Sequence, residues 1–358
     1  VSNISDMLED EPKQEKKTAK KDSVVCIGLD VGTMHLCCAR SDQDNINIMR
    51  NVFLELDEDD MMAISELSEL SYVSNAEGES FIIGTEAFKY ANAFNKEVSR
   101  PMQSGLISSN EIYALDVLTL MLKELIGDIK GKDVFCSYSV PAEAIDADRS
   151  VIFHEKVFGQ MLGSLGISHT SVNEAMAIVY SECAKEKFSG IGISFGAGMA
   201  NCAVSYKGIE VLKFSTARAG DWIDKNAAND VAMVQNRITN LKEKKLDLTD
   251  PLATKEKIKK AKLALQSLYH YHEALINYTV KKIIKEFNDN VEIEIDDAIP
   301  IVVSGGTSMP KGFVDLFRDV LNKYDLPLEI SEIRQARNPL TAVANGLLVK
   351  TIADIKSR

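Results

Sequence analysis

The run Val24 to Leu29 is short, β-branched and apolar, which predicts a buried strand, and Asp30 falls where that strand leaves the core. Gly32 permits a tight turn, and the apolar "LCCAR" after His35 predicts a second strand, so the stretch reads as a β-hairpin with a polar tip. A β-rich stretch continues to Gly84, followed by the helix "EAFKYANAF", the loop "SRPMQSGLIS" and an amphipathic helix from about Ser109 to Ile126. "DVFCSYSVP" predicts another buried strand, ended by Pro141. A long helix follows through Gly163, then the small-residue helix "VNEAMAIVYSECAK".

At this point the pattern begins again. "GIGISFGAGMANCAVSYKG" is a second apolar strand, glycine-rich turn and strand. "AIPIVVSGGTSMPKGFVDLF" predicts a third strand running into Gly305 and Gly306, then a helix with Pro310 near its first turn. Between them, the chain from Lys255 to Phe287 has no turn signal or strand alternation and predicts one uninterrupted helix.

Composition narrows the picture. At 358 residues, with 45% hydrophobic and 26% charged residues, the chain suits two domains or one bilobed unit. Its formal net charge of −12 argues against nucleic acid as a direct partner. No apolar run approaches the roughly 18 residues of a membrane span, so the expected location is cytoplasmic. The six cysteines lie inside apolar runs without a CxxC pair and are expected to be reduced core residues. His270 and His272 stand two apart on a predicted helix, a poor metal pair. Residues 1–22 are polar and Lys/Glu-rich and read as a disordered tail, a possible adaptor contact.

A hairpin tip of backbone N–H groups beside a carboxylate can hold a phosphate and its magnesium, and two glycines at a strand-to-helix junction bring backbone close to a ligand. Three such turns recur in one chain. Together "GLDVGTMH", "SFGAGMAN", "VVSGGTSMP", "NEAMAIVY" and "NPLTAVANGLL" resemble, in that order, the two phosphate loops, the adenosine loop and the two connecting helices of the actin, Hsp70 and sugar kinase superfamily. "IIGTEAF", "RPMQSGLI" and "ARAGDWID" are similar to the bacterial actin-like, MreB/MamK-like branch.

The resemblance implies an α/β bilobed fold of two duplicated RNase H-like domains with a nucleotide cleft between them. It implies domain I over 23–170, domain II over 171–335, and a connecting helix over 336–358 returning to domain I. ATP and Mg2+ are the implied cofactors, with Asp30 beside the metal. Gly32, Thr33 and His35 would line the phosphates, Gly196, Ala197 and Gly198 would close over them, and Gly305, Gly306 and Thr307 would pack under adenosine. Gly220 and Asp221 match the glycine-aspartate segment, and Glu256 and Lys259 the helix bordering the purine. By spacing after Pro141, Asp148 takes the water-positioning acid's place, with Glu143 as the other candidate. Ser194, Met199, Ala200 and Asn201 depart from the family's second loop, where carboxylates and threonines are usual, which implies slow hydrolysis. The unbroken helix implies that the β-containing lobe called IIB is reduced or absent. The implied activity is a filament-forming ATPase that polymerises head to tail with itself. A non-polymerising Hsp70-like nucleotide-binding scaffold and a small-molecule kinase are the alternatives.

Overall fold

The computed structural model describes residues 24–57, 59–62, 72–93 and 96–357. The predicted N-terminal tail lies outside the described residues.

Two five-stranded sheets carry the molecule. The first is built from β1 (Val24–Val31), β2 (His35–Arg40) and β3 (Asn47–Arg50), followed by a small annex. The annex pairs β4 (Phe53–Leu56), β5 (Val73–Ser74) and β6 (Ser80–Ile83), then adds α1 (Thr85–Ala93) and the hairpin β7 (Met102–Gln103) and β8 (Leu106–Ile107). Helix α2 (Ala114–Ile126) returns the chain to β9 (Asp133–Val140), and α3 (Ile152–Ser164) leads to β10 (Ser168–Asn173). Helix α4 (Glu174–Glu182) then passes to the second sheet: β11 (Gly190–Phe195), β12 (Ala200–Tyr206) and β13 (Ile209–Thr216). Three helices follow, α5 (Gly220–Val231), α6 (Gln235–Lys245) and α7 (Lys259–Asn290), before β14 (Ile299–Ser304), α8 (Phe313–Leu321), β15 (Ile330–Gln335) and α9 (Ala342–Lys356).

The spatial order is β3-β2-β1-β9-β10 in one sheet and β13-β12-β11-β14-β15 in the other, so the second repeats the first strand for strand. In each, three antiparallel strands are extended by two parallel ones. The repeat holds at single residues: Gly28, Asp30 and Gly32 of the first hairpin match Gly192, Ser194 and Gly196 of the second. Gly32 N–H donates to the His35 carbonyl at 3.1 Å, and Gly196 N–H to the Met199 carbonyl at the same distance. The expected duplicated bilobed α/β fold is therefore observed.

Strands β1 and β11 are apolar apart from Asp30 and Ser194 near their ends, because helices cover both faces. Gly28 and Gly192 seat the connecting helices: a Cβ at Gly28 would lie 2.1 Å from the Ala344 carbonyl oxygen of α9, and one at Gly192 2.2 Å from that of Ala175 in α4. These helices also cross each other, where a Cβ at Gly346 would fall 1.7 Å from the Ala177 carbonyl oxygen. The lobe I core packs Ile27, Leu29, Leu118, Met121 and Phe158, all fully buried. In lobe II, Phe195 meets Phe313 edge-on at 5.1 Å beneath Leu268 and Ile276 of α7. Each such side chain contributes about 1.5–3 kcal/mol of burial. All six cysteines are free and buried, as their apolar surroundings predicted.

The predicted helix at Ser109 begins only at Ala114, since 109–113 turn before it. The long helix expected over Lys255–Phe287 runs from Lys259 to Asn290, buried at Ala261, Leu265, Leu268, His272, Leu275, Thr279, Ile283 and Phe287 with a three-to-four spacing. Among the described residues no strand lies between Thr216 and Ile299, so the β-containing lobe is absent. The 13 residues 246–258 replace it, with Leu246, Leu248 and Ala253 turned into the core. No helix among the described residues is long and apolar enough to cross a membrane.

Candidate functional site

A cavity of about 500 Å³ opens between the sheets, lined by both hairpin tips, by Gly305–Thr307 and by α6. It gathers Asp30, Gly32, Thr33, His35, Gly196, Ala197, Gly198, Gly305, Gly306 and Thr307, ten of the residues expected there. The hairpins converge because each β-strand pair ends at the sheet edge facing the other lobe. The β7–β8 turn braces them: Gly105 N–H donates to Thr33 Oγ1 at 3.0 Å, and a Cβ at Gly105 would meet Met199 Sδ at 2.3 Å.

Gly305 has φ +90°, a conformation side-chain-bearing residues rarely adopt, and its missing Cβ makes room for the Phe195 carbonyl. Gly306 faces open space. Its backbone therefore leaves a free wall for a flat group, bounded also by Met309, Pro310 and Leu340.

Two carboxylates share the polar floor. Ser139 Oγ donates to Asp30 at 2.9 Å and accepts from Val31 N–H at 2.7 Å, fixing the carboxylate at the end of β1. Glu174, the first residue of α4, accepts from Asn201 Nδ2 at 2.8 Å, while Asn201 Oδ1 accepts from Ala142 N–H at 2.9 Å. Burial raises the Asp30 carboxyl to about 6, against the Ser139 hydrogen bond. Burial and then the Asp30 charge push Glu174 up to about 8. His35 is driven down to about 4 by burial and by Arg50 and Arg100, so it is neutral at pH 7. A floor with two half-buried acids favours whatever positive charge accompanies a bound anion.

Six expected site residues stand elsewhere. Gly220 and Asp221 sit behind the second loop, where their N–H groups donate to the Gly196 and Ala197 carbonyls at 3.0 and 2.8 Å, and Asp221 pairs with Arg100 at 3.4 Å. They hold the loop and do not line the cavity. Glu256 and Lys259 are outside it as well: Glu256 precedes α7 and binds Lys245 at 2.7 Å, and Lys259 is the exposed first residue of α7. Helix α6 borders the cavity instead, through Thr239, Lys242, Glu243 and Lys244. Lys242 is anchored to buried Asp224 at 2.8 Å, and Glu243 reaches across to Arg50 of lobe I at 3.1 Å.

Asp148 and Glu143 are also displaced. After Pro141 the chain docks as an extra edge beside β13, where Ser215 N–H donates to the Glu143 carbonyl at 3.0 Å and Ala217 N–H to Asp146 at 2.7 Å. That pairing turns Glu143 and Asp148 to solvent. Glu174 is the acid sequence reasoning missed, and its signal was available: an acid at the first turn of a helix directly after a strand, in "VNEAM".

Fold and cleft together define an actin-like bilobed protein. The chain belongs to the Volactin family, whose model matches residues 25–351. No curated protein matches its sequence. Among solved structures, it is similar to a MamK double helical filament, with a TM-score of 0.70 at 16% identity, covering 93% of this chain and 99% of that one. MreB5 of Spiroplasma citri bound to AMPPNP gives 0.65 at 13% identity, covering 95% and 98%. The ethanolamine utilization protein EutJ from Carboxydothermus hydrogenoformans gives 0.53 at 15% identity, covering 91% and 89%.

Proposed function

We propose that this protein is an actin-like cytoskeletal ATPase that binds Mg-ATP in the interlobe cleft, hydrolyses it slowly and polymerises head to tail. The observation that carries the reading is the pair of matched hairpin tips facing each other across one cavity, with the Gly305–Gly306 turn beside them. Backbone N–H groups of Gly32–His35 and Gly196–Met199 would hold the phosphates. Gly306, Met309 and Pro310 on one side and Lys242 and Lys244 on the other would take the nucleoside. Likeness to MamK and MreB5 structures, two of them with AMPPNP, supports the same reading.

The donor set fits magnesium. Asp30 and Glu174 are half-buried neighbours on one floor, and the Asp30 charge opposes ionisation of Glu174, an opposition that a divalent cation relieves; among the described residues no cluster of three ligating side chains competes with the phosphates for it. Bound there through Asp30, largely by way of water, the cation would neutralise charge on the phosphates during transfer. Glu174, held by Asn201, would orient the attacking water. Ser194, buried where the matching position of the first hairpin carries Asp30, leaves the second loop without a carboxylate, which supports slow turnover.

Calorimetric titration with ATP and magnesium, together with sedimentation of polymer, tests the reading. Micromolar or tighter binding and nucleotide-dependent pelleting are expected. Absence of nucleotide binding would overturn it, and binding without pelleting would favour the scaffold alternative.

A further inference from the structure

The two ends of helix α7 differ in charge and are alike in exposing apolar side chains. Its 32 residues separate those ends by about 48 Å at 1.5 Å per residue. At the N-terminal end, Lys255, Lys257, Lys259, Lys260 and Lys262 fall within eight residues, and the one acid among them, Glu256, is already bound to Lys245. Among the described residues Lys257, Lys259 and Lys262 have no carboxylate within ion-pair distance. This concentration of positive charge stands on a chain of net charge −12.

The same end is apolar where it is not basic. Lys260 Nζ donates to the Ala232 carbonyl at 2.9 Å and Gln266 Nε2 to that of Leu252 at 3.0 Å, which clamps the α5–α6 turn and the 246–258 segment to the start of α7. Val234, Leu252, Ile258 and Leu263 are thereby gathered at one end of lobe II, each largely exposed, Ile258 to 64%. This is the end from which the β-containing lobe is missing.

At the opposite end the sequence from Asp289 to Asp297 carries five acids and no Lys or Arg. Tyr206 OH donates to Asp297 at 2.9 Å, so the β12–β13 turn belongs to this end, with Lys207 over the Tyr206 ring at 4.6 Å. Glu292, Glu294 and Asp296 are exposed and have no cation within ion-pair distance among the described residues. Ile293 and Ile209 are exposed beside them, Ile209 to 69%.

We infer that these two ends are the complementary halves of one longitudinal contact, in which the basic end of lobe II in one molecule docks on the acidic end of lobe II in the next copy of this chain. Neither end pairs with itself, because like charges would face each other. A closed two-fold dimer is therefore disfavoured and a heterologous, open-ended contact favoured. Exposed apolar side chains on both faces supply the area that desolvates on contact, and the charges set direction and register. The inference rests on the proposed polymerisation and names the surfaces that carry it.

Charge exchange tests it. Lys257→Glu, Lys259→Glu and Lys262→Glu together reverse the basic run and make both ends acidic, and Glu292→Lys, Glu294→Lys and Asp296→Lys together reverse the acidic run and make both basic. None of these residues lines the cleft. Each triple variant alone should raise the critical concentration for pelleting with ATP and magnesium by roughly tenfold or more, while nucleotide affinity and melting temperature stay near wild type. An equimolar mixture should pellet again, because acidic-ended and basic-ended molecules can alternate. Wild-type assembly should also weaken as salt rises from about 0.05 to about 0.5 M. Pelleting of either variant at the wild-type concentration overturns the inference and leaves the filament reading intact, as does a nucleotide-binding mixture that stays in the supernatant. Wild-type protein that never pellets overturns the filament reading itself. Loss of binding to phosphatidylserine vesicles by the lysine variant, with assembly unchanged, would assign the basic end to a membrane surface instead.

Discussion

Asn201 Nδ2 donates to Glu174 Oε2 at 2.8 Å, and this bond joins the second hairpin to the first turn of the connecting helix α4. The carboxylate is thus held from lobe II although its helix starts at the edge of the lobe I sheet. Glu174→Gln keeps that geometry and removes the carboxyl group that can take or give up a proton. Phosphate release should fall roughly a hundredfold or more with ATP affinity within a few-fold of wild type. Equal loss in Asp148→Asn and none in Glu174→Gln would return the role to the exposed loop.

Ser194→Asp adds a third acid beside Asp30 and Glu174. Without magnesium the melting temperature should drop, because three carboxyl groups crowded on one floor oppose one another's ionisation. With Mg-ATP it should recover and phosphate release should rise. A variant unaffected by magnesium would argue against a cation on this floor.

Gly306 and Gly305 make opposite demands. A Cβ at Gly306 meets no heavy atom within 4 Å, whereas one at Gly305 would lie 2.4 Å from the Phe195 carbonyl oxygen. Gly306→Val should therefore cut nucleotide affinity by on the order of a hundredfold in calorimetry and leave the melting temperature nearly unchanged. Gly305→Val should lower stability as well, since β11 must shift and φ is positive.

Arg50 and Glu243 close over the front of the cleft at 3.1 Å. Both are partly exposed, so the pair contributes at most about 1 kcal/mol. Glu243→Gln should speed release of a fluorescent ATP analogue about two- to fivefold in stopped flow, and high salt should erase the difference between variant and wild type.

His154 is buried with neither ring nitrogen hydrogen-bonded among the described residues, against Phe158 at 4.8 Å. Burial lowers it to about 4 from 6.5. Between those values the unfolded chain holds the proton and the folded one does not, so its contribution to stability is lost as pH falls from about 6.5 to about 4. His272, driven down to about 3 by burial, acts in the same direction, whereas the raised Asp30 and Glu174 act oppositely. His154→Leu should stabilise by about 1–2 kcal/mol at pH 7. It should also flatten the acid limb of stability against pH by up to about 1.4 kcal/mol per pH unit.

The hairpin tips were legible in the sequence because a strand, a polar stop and a glycine turn are contiguous, so Asp30 and Gly32 carry their own context. The unbroken α7 was legible because its sequence carries no turn signal and no strand alternation. Helix α6 was not: "QNRITNLKEKK" is polar nearly all round, with only Ile238 and Thr239 buried, and its role comes from the cavity it borders. Strand β10 is a polar sheet edge, exposed over its first half, and its Val172 and Asn173 read as the start of the next helix. Asp148 stands outside the cavity because the chain after Pro141 docks on β13 and carries the loop outward, which spacing alone does not reveal. Chemistry set by contiguous residues is visible in a sequence, whereas chemistry set by distant pairing is not.

At the crossing of α4 and α9, Gly346 rests against the Ala177 carbonyl with no side chain between the helices. Interlocked side chains would divide rotation of one lobe on the other into separate notches. Backbone against backbone has no teeth, so the lobes share an axle on which rotation is graded. In the proposed polymer, opening of the cleft at one end of the molecule would then become a proportionate tilt at both ends of α7, and nucleotide state would pass from subunit to subunit as an angle.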